Sequence, residues 1–420
     1  MKIAIIGGGF TGLTAAYRLG QKGHKVTVFE KSENLGGLAG GFKINESNLE
    51  KAYHHIFRTD KEIIGLAKEL GLESKLKWHE SSIGLYYEGK MYPFTTPKDM
   101  LLFGGMGLID RIRFGLAGLY LQKDNNWQKY VKQKAVNWME KMCGEKAYKV
   151  IWEPLLKGKF HDYYKEVSMA WMWARIHTRG NSKAKGENKE HLGYFDGGFQ
   201  IIIDELAKRI KKNGGEIILK ADIKNIDDLL KDFDKVVACV PSGAFGRLVD
   251  PKRYAEYINK LDSIEYLGAV VVVFTAKQSL SKYYWHNIND TKSPFLAFIQ
   301  HTNLIDKKNY GNENVYYLGT YVPHDHKFFN VDEKEVVSEF FDYLKKIFPD
   351  FDEKEITSKF IFRLKNAQHI VTIDYPDKIP AYETPIKNVY LANFSQIFPE
   401  DRGTNFAVKE GNKIAEIIQK

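Results

Sequence analysis

The sequence predicts an α/β protein: a Rossmann-like dinucleotide-binding domain whose chain is interrupted by an inserted α+β domain. Three observations carry this reading. The run Lys2-Ile3-Ala4-Ile5-Ile6 enters Gly7-Gly8-Gly9-Phe10-Thr11-Gly12 directly. An amphipathic stretch from Leu13 to Leu19 follows, and a second apolar run, Val26-Thr27-Val28-Phe29, ends at an acid, Glu30. Blocks of strand and glycine pattern then return in the middle and at the end of the chain, separated by long stretches of a different character.

The first thirty residues form a βαβ unit in which each glycine has a separate task. Gly7 permits the bend after the strand, Gly9 lets backbone approach a pyrophosphate, and Gly12 lets the following helix pack on the sheet. The pyrophosphate belongs at that helix's N-terminus, where free N–H groups and the macrodipole favour negative charge. Glu30 stands at the spacing of the carboxylate that accepts ribose hydroxyls. This motif serves NAD and FAD alike. A second cluster, Leu35-Gly36-Gly37-Leu38-Ala39-Gly40-Gly41, follows Lys31 where a plain NAD domain would proceed into a crossover helix, and it offers bare backbone to something extended.

Two domains are the default for 420 residues. The 62 basic and 53 acidic residues leave +9, which favours anionic partners, but the lysines are scattered, so a solvated surface is expected rather than a nucleic-acid groove. Cys143 and Cys239 lie far apart in sequence, so no CxxC redox pair exists and electron transfer must run through a bound cofactor. A strand beginning at Lys2 leaves no room for a signal peptide, and no apolar run approaches about eighteen residues. The expectation is a cytoplasmic protein.

The glycine blocks, with three later ones, resemble the flavin-dependent family of amine oxidases, protoporphyrinogen oxidases, phytoene desaturases and UDP-galactopyranose mutases. The later blocks are Tyr194-Phe195-Asp196-Gly197-Gly198 with Gly214 to Ile226, then Lys235 to Pro241, then Asn388 to Phe394 with Gly403-Thr404-Asn405-Phe406. The resemblance implies a GR2-type flavoprotein with FAD as cofactor. The implied contacts are Gly7, Gly9, Phe10, Thr11, Gly12, Glu30, Lys31, Gly36, Gly37 and Leu38 at the front of the chain. Ile223 would meet the adenine, and Thr404, Asn405 and Phe406 would open a helix aimed at the flavin pyrimidine. Where the family places an acid on the ribityl chain, this sequence has Ala392-Asn393, so Asn393 or Ser395 is expected to replace it.

That order implies a cofactor domain in three pieces, 1–80, 191–250 and 386–420, with a substrate domain in two, 81–190 and 251–385. The first insert opens on a hairpin, Ser82 to Phe94, around Glu88-Gly89, and turns helical from Pro97 to about Ile176. The polar stretch Asn181 to Lys189 reads as an exposed loop. Strand patterns return at Ala269 to Phe274, Phe295 to Gln300 and Val315 to Tyr321. The stretch Met100 to Leu121 is expected to pack in the substrate domain, with peripheral membrane contact as the alternative.

Several side chains suit chemistry. Tyr53-His54-His55-Ile56-Phe57-Arg58 looks like the HIF segment of the mutases, with Arg58 in place of a second histidine. An imidazole there, His55 before His54, either moves a proton or hydrogen-bonds the flavin, since histidine titrates near neutrality, or is satisfied by backbone. Arg175 and Arg179 share a helical face beside Trp171 and Trp173, to clamp a phosphate while the indoles stack, or to pair with carboxylates. Arg363 and Arg402 are further candidates, Arg402 lying just before the flavin-facing helix. His324-Asp325-His326 lacks further ligands at metal spacing, so no metal is expected.

The resulting expectation is an FAD-dependent oxidoreductase taking hydride to flavin N5 from a small-molecule substrate, lipophilic or phosphate-bearing, with no nucleic-acid partner. The alternatives are a mutase-like isomerase that uses reduced flavin without net oxidation, and a non-catalytic flavoprotein.

Overall fold

A parallel sheet forms where the chain concentrates β-branched residues. The computed structural model describes residues 1–419 apart from Lys185, Gly186 and Asn188. Five parallel strands lie in the order Val389–Leu391, Lys235–Ala238, Lys2–Ile6, Lys25–Phe29, Glu216–Ile218. Front, middle and tail of the sequence therefore meet in one sheet. Covered on both faces, the central strand sends Ile3 and Ile5 into one core and Ala4 and Ile6 into another. Helices Phe10–Gln21 and Thr404–Gln419 pack side by side against it. Gly12 is dictated by that packing: a Cβ there would lie 2.0 Å from the Gly7 carbonyl oxygen.

A second sheet of seven strands follows the order Ile356–His369, Tyr266–Ala276, Asn314–Val322, Ala297–Gln300, Trp285–Ile288, Ile83–Tyr87, Lys90–Pro93. All its pairs are antiparallel except Trp285–Ile288 with Ile83–Tyr87. Successive residues of Tyr266–Ala276 alternate faces. Val271 and Val273 join the core shared with the parallel sheet, whereas Val270, Val272 and Phe274 meet helix Glu333–Ile347. The predicted hairpin turns through Glu88 and Gly89, both at positive φ.

Between the sheets' contributions lies a helical layer, including Leu108–Lys123, Ala135–Cys143, Glu153–Phe160 and Met169–Gly180, packed around Tyr130, Phe160 and Trp171. Two expectations need correction here. The stretch Met100 to Leu121 packs in this layer on one side only: Phe103, Met106, Ala117 and Leu121 are buried, whereas most of its leucines and isoleucines are exposed. The stretch 181–189 is not uniformly exposed, because Ser182 is buried and Glu187 pairs with Arg58 at 2.9 Å. Lys185, Gly186 and Asn188, part of the same expectation, lie outside the described residues. No helix among the described residues is long and apolar enough to cross a membrane.

The Gly12 contact has a measurable consequence. Gly12→Ala forces backbone apart in a packed core, which costs about 1–3 kcal/mol, so Tm falls by several degrees; an unchanged melt would show that the contact relaxes freely.

Candidate active site

Two cavities flank the crossing of the glycine clusters. The first, about 350 Å³, is lined by Gly7, Glu30, Lys31, Ile223 and Val240. The second, about 240 Å³, begins at Leu38 and runs between the helical layer, the seven-stranded sheet and the start of the last helix. Between them, the Gly36 N–H donates to the Gly8 carbonyl at 2.8 Å, and Gly9 pairs with Gly36 as an isolated bridge. Gly36 and Gly37 both have positive φ, so the second glycine cluster turns back on the first.

The residues present fit a dinucleotide laid across this crossing. At Gly9 a Cβ would meet nothing nearer than the Gly37 Cα, 3.9 Å away. The polypeptide itself therefore does not require glycine there, and its backbone is left open to an occupant. Phe10 is buried beside it. Glu30 accepts from the Gly8 N–H at 2.7 Å and the Ser32 N–H at 2.8 Å, one on each oxygen, which leaves lone pairs for hydroxyl donors. Lys31 is exposed and faces Asp222 at 3.4 Å. Asn393, by contrast, spends its side chain on the protein: its amide donates to the Val240 carbonyl at 2.8 Å and its oxygen accepts from the Ser395 N–H. The Ser395 hydroxyl is held by Ser242 and Tyr266. The expected replacement for the family's ribityl acid is thus committed internally at both positions, because the turn Phe394–Gln396 uses Asn393 as its cap.

His54 and His55 both face the second, 240 Å³ cavity. A pair of backbone hydrogen bonds between Ile56 and Gly193 fixes the segment, with Ile56 buried in the core. His54 Nδ1 lies 2.7 Å from the Ala52 carbonyl, and His55 Nδ1 lies 3.3 Å from the Tyr284 hydroxyl. Their titration differs from expectation. Burial pushes His54 down to about 4 and His55 to about 3, the latter helped by nearby Arg179. Burial thus favours the neutral form of both imidazoles at pH 7, in which each ring carries one hydrogen-bond donor and one acceptor.

The arginines divide. Arg179 is bidentate on Glu190, at 2.8 and 3.1 Å, which is the carboxylate-pairing alternative. Arg175 reaches Asp401 at 3.2 Å. The indoles are instead committed to the protein: Trp171 is fully buried against Phe160, and Trp173 donates to the Asp124 carbonyl. Arg363 binds the Phe328 and Val331 carbonyls and does not line the cavity. Arg402 does line it, donating from Nη2 to the Tyr321 hydroxyl at 2.7 Å, while its Nε is buried without a partner. Thr404, Asn405 and Phe406 open the last helix onto the same cavity; the Asn405 side chain also caps helix Lys61–Glu69 through the Glu62 and Ile63 N–H groups.

Two further groups escaped the sequence reading. Lys159, buried on helix Glu153–Phe160, holds Asp401 at 2.8 Å and lies over the Trp171 and Tyr321 rings. Burial opposes the charge on Asp401, yet Lys159, Arg175 and Arg402 together hold its carboxyl well below the usual range. Lys159 and Arg175 pair with this carboxylate directly, and Arg402 adds its field from beside it. Asp60, which accepts from the Phe57 N–H at 2.8 Å, has its carboxyl raised by burial to about 7, with Glu400 adding repulsion. Among the described residues no group of three or more histidine, cysteine or acidic side chains is placed to hold a metal. Both cysteines are free, with burial pushing Cys239 up to about 12.

Two outcomes are expected. Gly9→Ala folds with unchanged Tm, since the added methyl meets no protein atom, but binds FAD at least about tenfold more weakly because the methyl occupies the pyrophosphate's approach; equal affinity by flavin-fluorescence titration would refute this role. A folded-state pKa below the unfolded one makes neutral imidazole favour folding. Protonation of His54 and His55 therefore removes stability as pH falls from about 6.5 towards 4. His55→Asn flattens that part of a Tm–pH curve, and a curve parallel to that of the unmutated protein would contradict it.

Several known proteins are similar to this chain. A 15-cis-phytoene desaturase of Arabidopsis thaliana is 22% identical over 393 residues, covering 83% of this chain and 67% of its own. A 4,4'-diapophytoene desaturase of Staphylococcus haemolyticus is 58% identical over 43 residues, so this match spans only 9% of that relative's length. Among solved structures, an oxidoreductase from Methanosarcina mazei superposes with TM-score 0.75 at 16% identity, covering 99% of this chain and 100% of its own. A reduced UDP-galactopyranose mutase gives 0.76 at 16% identity, covering 100% and 95%. These two share the fold. The family of flavin containing amine oxidoreductases matches residues 10–395. With most of its length matched, the chain belongs to this family of FAD-dependent oxidoreductase enzymes.

Proposed function

We propose that the protein oxidises a small molecule with an anionic head and an apolar body, bound in the 240 Å³ cavity. The observation that carries this is the crowding of three basic side chains around Asp401, Lys159 and Arg175 in ion pairs with it and Arg402 beside it. One carboxylate cannot neutralise three cations, and the buried, unpartnered Nε of Arg402 leaves a donor for a ligand. The apolar remainder meets Leu155, Val271, Leu296 and Leu364, which exclude water from the body of the substrate. Bound FAD supplies the redox chemistry by accepting a hydride equivalent. Gly9, Gly36 and Gly37 would hold its pyrophosphate region, Glu30 and Ile223 its adenosine end, and Leu38 with Thr404 to Phe406 its reactive end. His54 and His55, neutral, orient by hydrogen bonding. Asp60 is the cavity carboxyl whose proton exchanges near neutral pH. The desaturase relatives support the apolar body.

A second reading is an isomerase of the mutase kind, favoured by the placement of the His55 segment and the cationic cluster around one cavity, an arrangement that also suits a sugar diphosphate. The two differ in outcome, since an isomerase requires prior flavin reduction and its product keeps the substrate's mass.

The test is anaerobic flavin bleaching against paired anionic and neutral forms of apolar substrates. Bleaching by anionic members is expected. Arg402→Met then lowers kcat/KM for them about 10- to 100-fold, with less than about threefold change for neutral forms. Preferential bleaching by the neutral forms rejects the anionic head. With a bleaching substrate, Asp60→Asn removes an ionisation near pH 7 from the kcat/KM profile; a profile that keeps it assigns that proton elsewhere.

A further inference from the structure

The helical layer carries an apolar face that the protein does not cover. Leu101, Leu102, Leu108, Ile109, Ile112, Leu116, Leu119 and Tyr120 are all exposed, with Ile109 at 74% and Leu102 at 69%. They belong to two consecutive helices, Pro97–Leu102 and Leu108–Lys123, joined by a short glycine-containing turn. At about 100° per residue, the exposed positions of the longer helix fall within roughly one third of its circumference. Ala117 and Leu121, which are buried, occupy the opposite side. Such a contiguous face is larger than scattered surface leucines account for.

What borders the face distinguishes its occupant. By the same helical geometry, Arg111 and Arg113 fall on its two flanks, and Lys123 stands at its C-terminal end. Lys98 and Lys141 add exposed cations nearby. Arg111 and Arg113 donate only to main-chain carbonyls, of Leu101, Gly107, Lys141 and Met142. The ion pairs of this region use Lys129, Lys132 and Lys134 instead. From residue 97 to 141 the chain has eight Lys and Arg against four Asp and Glu. A second copy of the chain would bring the same cations against themselves. A bilayer bearing anionic headgroups meets both requirements, with leucine and isoleucine entering the acyl boundary and long cationic side chains reaching the headgroups.

We infer that helices Pro97–Leu102 and Leu108–Lys123 form a monotopic docking surface for an anionic membrane. The longer helix packs on Met169–Gly180, the helix that carries Arg175 and Arg179 to the cavity, so docking sets one wall of the cavity close to the bilayer. The inference stands on surface chemistry and does not require the proposed substrate.

The experiment uses the full chain loaded with FAD and sedimented with two kinds of vesicle: phosphatidylcholine alone, and phosphatidylcholine with roughly one third phosphatidylglycerol. The expected result is co-sedimentation with the anionic vesicles, at least about tenfold weaker in the Leu102→Glu, Ile109→Glu double variant and weakened by salt. Both substituted side chains are exposed, and an unchanged flavin spectrum and Tm verify that the variant is folded. The inference is overturned if the protein binds neither vesicle, or if the double variant binds as well as the parent. It is also overturned if sedimentation velocity shows a dimer that the double variant dissociates while vesicle binding is absent, which would assign the face to a second copy.

Discussion

The carboxylate of Asp401 is the point on which the cavity depends. It lies at the tail of the chain, yet its partners come from two helices of the helical layer, Lys159 and Arg175, and from its neighbour Arg402, which in turn holds Tyr321 on the seven-stranded sheet. Three stretches far apart in sequence are pinned around one volume by this cluster. Buried ion pairs are a poor source of stability, because desolvation offsets most of the Coulomb attraction. An arrangement in which basic side chains outnumber the carboxylate they surround is instead suited to the anionic head proposed above.

The same low-polarity surroundings set the character of the other titratable groups. Desolvation drives imidazoles and carboxyls in opposite directions along the pH scale, in each case favouring the neutral form. His54 and His55 lose their charge, while Asp60 and the buried Glu50, which accepts from Tyr194 and the Phe199 N–H, are raised to about 7. By contrast, Arg179 holds the buried Glu190 carboxyl below the usual range, and Lys159, Arg175 and Arg402 do the same at Asp401. The cavity therefore combines a charged end with a neutral hydrogen-bonding wall, which suits an amphipathic ligand. A helical layer with an uncovered apolar face on its outer side fits the same class of molecule, because an amphipathic compound partitions into the bilayer boundary.

Much of the cofactor frame could be read from residue order alone. The glycines at 7, 9 and 12 report local constraints: a positive φ, a backbone left bare for an occupant, and a helix packed within a methyl group of a carbonyl. The strands that share the parallel sheet were likewise legible, because a strand covered on both faces must be apolar throughout. Side-chain partnership was less accessible. Lys159 sits in Leu155-Leu156-Lys157-Gly158-Lys159-Phe160 like any surface lysine, and its burial follows only from what Asp401 and Tyr321 place beside it. Asp60 carries a helix-cap signal, which hides its place in the cavity. Trp171 and Trp173 carry the aromatic signal of a binding site and turn out to be core, since a helix buried along most of its circumference gives no clue to which side faces ligand.

What the sequence determined by itself is the set of features fixed within a few residues: the glycine turns, the dinucleotide frame and the alternation of strand and helix, all governed by backbone sterics and periodicity. What only the tertiary structure decided is the charge state and company of the functional groups, including which arginine pairs with which acid, which histidines stay neutral, and which leucines remain uncovered. These depend on solvent exclusion and on through-space Coulomb interactions between residues hundreds of positions apart, quantities that no local pattern encodes.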